Sequence, residues 1–241
     1  MKTVSILISN YNSYEALQLC VESIRKYTRY PYEIIVYDAN SDNKIDRGYL
    51  QKAEQAGWLK VILGKEKTQH GVSIELLLDA CDTDLAMILD CDIEILAPEW
   101  LEDMANLIED DVVLISNVEK DYNSGVPSLP DWFQSWFMML NMKAYNDGMK
   151  TRWKTSQVNY NGREVFSPTG GKFWLKIQQD NPEGYRMISI PHCIQRKYHH
   201  FAHVSILGTL ADNEPNLKQL KQAQTMKFNE VKGRLNKLRQ L

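Results

Sequence analysis

The sequence is poor in the features that most often declare a chain's function. It has four cysteines, Cys20, Cys81, Cys91 and Cys193, with no close metal-type pairing. That argues against a disulfide scaffold and against a cysteine-held zinc. Cys81 and Cys91 read as buried free thiols, which suits a reducing, cytoplasmic compartment. Long hydrophobic runs are absent: nothing approaches the ~20 apolar residues that cross a bilayer, and the stretch Val4–Ile8 is broken by Ser9-Asn10, too soon for a signal peptide. Charge of one sign is not in excess either. Lys and Arg number 28 against 31 Asp and Glu, a formal charge of −3, so no nucleic-acid partner is expected. Internal repeats and low-complexity segments are missing. What remains is 241 residues, 44% hydrophobic and 24% charged, enough for one good core with an appendage.

What the chain does have is an alternation of short apolar runs with helical periodicity. Val4–Ile8 reads as a buried strand that stops in the polar cluster Ser9–Ser13. Ser13 is placed to cap a helix carrying Ala16, Leu17, Cys20, Val21 and Ile24, which Tyr30-Pro31 ends. Glu33–Tyr37 is a second strand, left through Asp38-Ala-Asn-Ser-Asp42. Tyr49–Ala56 reads as a helix stopping at Gly57, Leu59–Leu63 as a strand, Ser73–Cys81 as a helix and Leu85–Leu89 as a fourth strand. Pro98 opens another helix, and Val112–Ile115 is a further strand. Such alternation predicts a parallel sheet with helices on its faces. Ligands of these sheets bind beyond the carboxyl ends of the strands, and the clusters at 9–13, 38–42 and 90–92 all fall there.

The fourth strand ends in Asp90-Cys91-Asp92. Alternate residues of an extended chain share a face, so the two carboxylates can point the same way and repel unless a cation or proton relieves them. Hard divalent ions join carboxylates to phosphates. The pair is therefore either a metal–diphosphate site or a strand end with solvated acids.

The second part of the chain changes character. Residues 121–131 read as a loop, and Trp132, Phe133, Trp136, Phe137, Met138 and Met139 cluster after it. That cluster is core under a lid, a stacking platform for an acceptor sugar, or a contact with lipid or a partner. Residues 146–161 read as loop, Gly170–Gln178 as a helix and Arg186–Ile190 as a strand; 196–203 concentrates three of the five histidines. The last 26 residues form a basic helix with Leu217, Phe228, Val231, Leu235 and Leu238 on one stripe. It packs on its own domain, makes a homo-oligomer contact, or lies on an anionic membrane surface as a peripheral anchor.

Several segments together resemble family 2 glycosyltransferases, which have the GT-A fold. Val4–Asn12 is similar to their opening strand and Tyr-Asn loop, and Glu33–Asp42 to their second strand and its acidic, Ser-containing loop. His70-Gly71 before a helix, Met87–Asp92 with its Asp-x-Asp, and Pro98-Glu-Trp-Leu follow in the family's order. Thr169-Gly170, and His200 with Ser205, resemble late motifs more loosely. The resemblance implies a Rossmann-like, mostly parallel sheet flanked by helices: residues 1–115 bind the nucleotide-sugar, 116–207 form a smaller acceptor side, and 208–241 the C-terminal helix. It implies transfer of a hexosyl group from a UDP-, GDP- or dTDP-linked donor to a glycan, lipid-linked or protein acceptor, usually with inversion. Asp90, Asp92 and His200, with His203 as the fallback, would hold Mn²⁺ or Mg²⁺. Ser9, Asn10, Tyr11, Asn12, Asp38, Ser41, His70, Asp90 and Cys91 would line the donor pocket.

The sequence departs from the family at the general base. Pro168 stands where an acid is expected, which leaves Glu164, Asp131 and Asp147 as candidates. A GT-A domain that has lost activity and binds a glycan or partner is the alternative this departure supports. An Asp-x-Asp phosphatase is disfavoured because Glu94 occupies the position two after the second aspartate. A nucleotidyltransferase would need a glycine-rich basic loop where Ser9–Ser13 stands.

Overall fold

The structure, a computed structural model, describes residues 2–42, 44–120, 128–129, 131–201 and 217–240. In chain order its elements are β1 (Val4–Asn10), α1 (Tyr14–Tyr27), β2 (Tyr32–Asp38), α2 (Lys44–Gln55), β3 (Lys60–Leu63), α3 (His70–Asp79), β4 (Leu85–Asp90), β5 (Ile93–Ile95), α4 (Trp100–Asn106) and β6 (Val112–Ile115). There follow β7 (Val118–Lys120), β8 (Asp131–Phe133), β9 (Phe137–Asn141), α5 (Met142–Ala144), a π-turn at Tyr145–Met149, β10 (Ser156–Tyr160) and β11 (Arg163–Ser167). The chain closes with α6 (Gly171–Gln179), β12 (Arg186–Ile188), α7 (His192–Gln195), β13 (Tyr198–His200) and α8 (Leu217–Gln240).

Seven strands form the central sheet in the order β12-β6-β9-β4-β1-β2-β3. The β4-β1-β2-β3 block is parallel, as the alternation predicts, and β9 is inserted antiparallel between β4 and β6. Both sheet faces are covered, so the strands read as continuous apolar runs. Side chains alternate between two cores: Val4, Ile6, Ile8, Met87 and Leu89 enter one, Leu7, Ile35, Ala86 and Ile88 the other. The aromatic and methionine cluster is core, as one of its three readings had it. Phe137 and Met139 fill the first core, Met138 and Leu140 the second. It fills that core as a strand, because β9 brings its own two-residue period to the middle of the sheet.

Some expectations shift. Ser13 does not cap α1; its hydroxyl donates to the Tyr11 carbonyl at 2.9 Å. Helices α2 and α3 begin earlier than helical periodicity indicates. At the start of α3, Gly71 is needed for close approach: a Cβ there would fall 2.4 Å from the Trp153 carbonyl oxygen. The stretch 146–161 is not all loop, since β10 and β11 form a hairpin joined by Asn161-Gly162 with φ of 51° and 77°. An Asn-Gly pair of positive φ is the standard short hairpin turn.

Helix α8 lies against α1. Its stripe residues Val231 and Leu235 are buried with Ala16, Leu19 and Phe201, and Phe228 and Leu238 pack at the margin. The side chain of Leu217 lies outside the described residues. Among the described residues no helix is long and apolar enough to cross a membrane.

Candidate functional site

The carboxyl ends of β1, β2 and β4 lie side by side: Asn10 is in register with Asp38, and Ser9 with Asp90. Asp90 closes β4, the chain turns at Cys91-Asp92, and β5 leaves in a new direction. The two aspartates therefore converge through a turn rather than through the pleat of one strand. The Asp90 amide donates to the Trp136 carbonyl at 2.9 Å, which ties β4's end to the chain entering β9. Strand β5 pairs antiparallel with β13, His200 opposite Ile93, and the Phe201 amide donates to the Asp92 carbonyl at 3.1 Å. This short ribbon carries His200 to the aspartates.

Donor atoms of Asp90, Asp92 and His200 lie within 4.8 Å of one another. His200 Nε2 is 3.2 Å from Asp92 Oδ1, and its ring stacks on Trp136 at 4.2 Å between centroids. His70, the first residue of α3, places Nε2 3.6 Å from Asp90 Oδ1. Its ring is partly exposed, but that nitrogen is buried. Neither imidazole completes a hydrogen bond to the carboxylate it approaches. Asp90 Oδ1, Asp92 Oδ1 and His70 Nε2 are thus all buried without a hydrogen-bond partner. Burial and the neighbouring Asp92 carboxylate push the Asp90 carboxyl up to about 7, and burial lowers His70 to about 4. Buried polar atoms are normally satisfied, and orphaned carboxylate oxygens are among the costliest to leave alone. Two carboxylates and an imidazole converging with open lone pairs fit a divalent cation that oxygen and nitrogen donors hold.

Beside this group the loops that follow β1 and β2 are locked together. Asp38 Oδ1 accepts from Asn10 Nδ2 at 2.8 Å and from Ser41 Oγ at 2.6 Å, while Oδ2 accepts from the Ser41 amide at 2.9 Å. Asp38 is 1% exposed. Ser41 Oγ in turn accepts from the Asn12 amide at 2.9 Å, and Asn12 Oδ1 accepts from the Asp42 amide at 2.9 Å. Asn12 and Asn40 hold φ of 50° and 60°, a conformation asparagine tolerates better than most residues. A cavity of about 280 Å³ opens next to Asp38, bordered by Asn40, Arg47, Leu63 and Gly64. Lys67 lies 4.5 Å over the Tyr11 ring. Ser9 is half-buried on the same edge, and Cys91 is buried within the turn.

The three candidate bases are not brought together. Asp131 is half-buried on β8, whose return is tied to the site edge by Ser116 Oγ donating to the Gln134 carbonyl and by the Trp136 contact with Asp90. Glu164 is exposed on the β10–β11 hairpin. Asp147 is exposed near the opposite edge of the sheet: it follows Asn141, which pairs with Leu85 at the start of β4. His203 and Ser205 lie outside the described residues. Thr169-Gly170 opens α6, where Gly170 (φ 76°) is required because a Cβ would meet the Phe133 ring at 2.5 Å. Residue patterns had no means of bringing Lys67, Glu94 or Phe201 to the site. Their partners are distant in sequence, and only the aromatic character of Trp136 hinted at a stacking role.

The sequence model of "Glycosyl transferase family 2" matches residues 5–182. Among curated proteins none matches the chain in sequence. Solved structures share the fold. A mannosyltransferase from Pyrobaculum calidifontis, in complex with GDP-Man and Mn²⁺, is 16% identical with a TM-score of 0.56, over 98% of this chain and 72% of that one. TarS 1–349 of S. aureus in complex with UDP-GlcNAc is 14% identical with a TM-score of 0.55, over 94% of this chain and 66% of that one. GalNAc-T7 with UDP, GalNAc and Mn²⁺ is 14% identical with a TM-score of 0.60, over 79% of this chain and 43% of that one.

Proposed function

The chain belongs to glycosyl transferase family 2, and from that premise we propose that it moves a hexosyl group from a nucleoside-diphosphate sugar to an acceptor hydroxyl, using Mn²⁺ or Mg²⁺ held by Asp90, Asp92 and His200. The observation that carries this reading is the pair of buried carboxylate oxygens with no hydrogen-bond partner, beside an imidazole and within 4.8 Å. Structures of similar fold that hold GDP-Man or UDP together with Mn²⁺ support it.

When bound, the cation neutralises the charge that grows on the departing diphosphate. The chain's own residues do the rest. Asp90 and Asp92 present oxygens at the strand edge where the phosphates arrive. Trp136 holds the His200 ring flat, which fixes the direction of its nitrogen. Asp38 is the knot that sets Asn10, Asn12 and Ser41 around the nucleotide, and Lys67 over the Tyr11 ring offers a positive charge beside the same loop. For an inverting displacement the base must face the acceptor on the side away from the diphosphate. Asp131 is our choice among the candidates, because its ribbon is anchored to the site edge through Trp136. Of the aromatic residues before and in β9 only Trp136 is partly exposed, and a glycan, lipid-linked or protein acceptor would approach past it. The apolar stripe of α8 is covered by α1, so a membrane or subunit contact would have to use its outer lysines.

The test is a panel of UDP-, GDP- and dTDP-sugars incubated with the protein and acceptor mixtures in Mn²⁺ or in EDTA. Release of nucleoside diphosphate from one donor, abolished by EDTA, is expected. Equal turnover of that donor in EDTA would contradict the metal-dependent reading.

A further inference from the structure

We propose that the C-terminal helix α8 is the positioning element of the cation site: through Glu94 and Phe201 it fixes the ribbon that carries Asp92 and His200. The proposal rests on the cation reading above. It begins from the weakness of the ribbon. Strands β5 and β13 have three residues each and, among the described residues, pair only with one another. A two-stranded ribbon of that size does not hold its own geometry in water, yet it must present an imidazole to a buried carboxylate with sub-ångström tolerance.

Two of its residues are held from α8. Glu94, two residues after Asp92, is 7% exposed, and its Oε2 accepts from Arg234 Nη1 at 2.7 Å. Removing Arg234 would leave a nearly buried carboxylate without its countercharge, a strongly unfavourable state that the ribbon relieves by moving. Phe201 directly follows His200 and donates its amide to the Asp92 carbonyl. Its side chain is 3% exposed and is packed with Val231 and Leu235 of α8. The Arg234 guanidinium lies 5.7 Å from that same ring, so one arginine touches both strands' anchors. The helix is itself seated on α1 by Lys232 with Glu15 and Arg239 with Glu22. The α1 hydroxyl of Ser23 meanwhile accepts from the Ile95 amide at 2.9 Å. Helix, ribbon and α1 thus form one packed unit, and the ribbon's far end carries Asp92 and His200. Coupling of this kind is reciprocal: if α8 sets cation affinity, the cation stabilises α8.

The experiment titrates the full chain with Mn²⁺ alone, following free Mn²⁺ by electron paramagnetic resonance. It compares wild type, Arg234→Ala and Arg234→Lys, and measures hydrogen exchange of α8 in wild type with and without Mn²⁺. Arg234→Ala is expected to weaken Mn²⁺ binding roughly tenfold, the usual effect of losing an outer support of a metal ligand. Arg234→Lys should recover part of that loss, and Mn²⁺ should slow exchange in α8. If wild type binds Mn²⁺ but Arg234→Ala binds it equally well, the proposal falls and the cation reading stands. If wild type binds no Mn²⁺, both fall. The exchange arm needs no variant, so a poorly folding mutant does not spare the proposal. Exchange in α8 that ignores bound Mn²⁺ overturns it.

Discussion

The indole ring of Trp136 lies 4.2 Å from the imidazole of His200, the two planes 23° apart. The same tryptophan accepts the Asp90 amide on its backbone, so one residue fixes both a carboxylate and an imidazole of the site. Trp136→Ala keeps the backbone contact and removes the stack. Mn²⁺ affinity should fall by roughly threefold to tenfold, since stacking of this kind is worth about 0.5–1.5 kcal/mol. Isothermal titration would read it, and unchanged affinity would refute the positioning role.

Asp90 gives a prediction in pH. Its carboxyl is raised to about 7 in the folded chain by burial and by Asp92, above the usual carboxylate value of about 4. Between those values the folded state holds a proton that the unfolded state has lost. Stability from this group is therefore present at low pH and is lost as pH rises through 7. The metal-free protein should melt at a higher temperature at pH 5.5 than at pH 8 as far as Asp90 contributes, and Asp90→Asn should reduce that difference. A cation competes with the same proton, so Mn²⁺ binding should release protons near pH 6.5 and weaken below it. Calorimetry in two buffers of different ionisation heat reads the release, and none at this pH would count against the assignment.

Asp38 is tied by three donors within the chain. Asp38→Ala should cost about 2–3 kcal/mol of stability, because bonds to a charged acceptor are among the stronger ones and their buried donors are left unpaired. With the loops loosened, the donor KM should rise more than kcat falls. Denaturant unfolding with steady-state kinetics would check both, and a pure kcat loss would contradict the account.

Gly71 supplies a test of the packing between α3 and the segment at Trp153. Gly71→Ala puts a methyl 2.4 Å from a backbone oxygen that cannot swing away. Destabilisation of about 1–3 kcal/mol is expected, with weaker donor binding because His70 is the adjoining residue. A melting temperature equal to wild type would show that the backbones part without cost.

The half of the fold that was legible in the sequence is the half made of strands buried on both faces. Leu85–Leu89 is a continuous apolar run and Val4–Ile8 is one broken only by Ser5; both stop in polar clusters, and such runs carry their own ends. Strand β9 was not legible. Four apolar residues after Trp136, Phe137 to Leu140, suit a lid as well as a strand, and only pairing with Leu85–Leu89 decides. The β10–β11 hairpin did carry a signal, Asn161-Gly162, hidden in an otherwise polar stretch. At the site, Asp90 and Asp92 were visible as a pattern, though the turn that makes them converge was not. The approach of His200 depends on its pairing opposite Ile93, a contact too distant in sequence for periodicity to report; it entered only through resemblance to a family. The ion pair of Arg234 with Glu94 left no trace in the sequence at all, since each residue by itself reads as a solvated charge.

The central claim is that the turn after β4 binds a nucleoside diphosphate through a cation. Asp92 offers the most direct measurement, since its side chain is 1% exposed and its Oδ1 has no hydrogen-bond partner. Calorimetric titration of wild type and Asp92→Asn with GDP, UDP and dTDP, each with Mn²⁺ and with EDTA, isolates its role. The account predicts that wild type binds one of these far more tightly in Mn²⁺, and that Asp92→Asn loses the Mn²⁺-dependent part while keeping its fold by circular dichroism. Equal affinity of wild type and Asp92→Asn for that diphosphate in Mn²⁺ would contradict it.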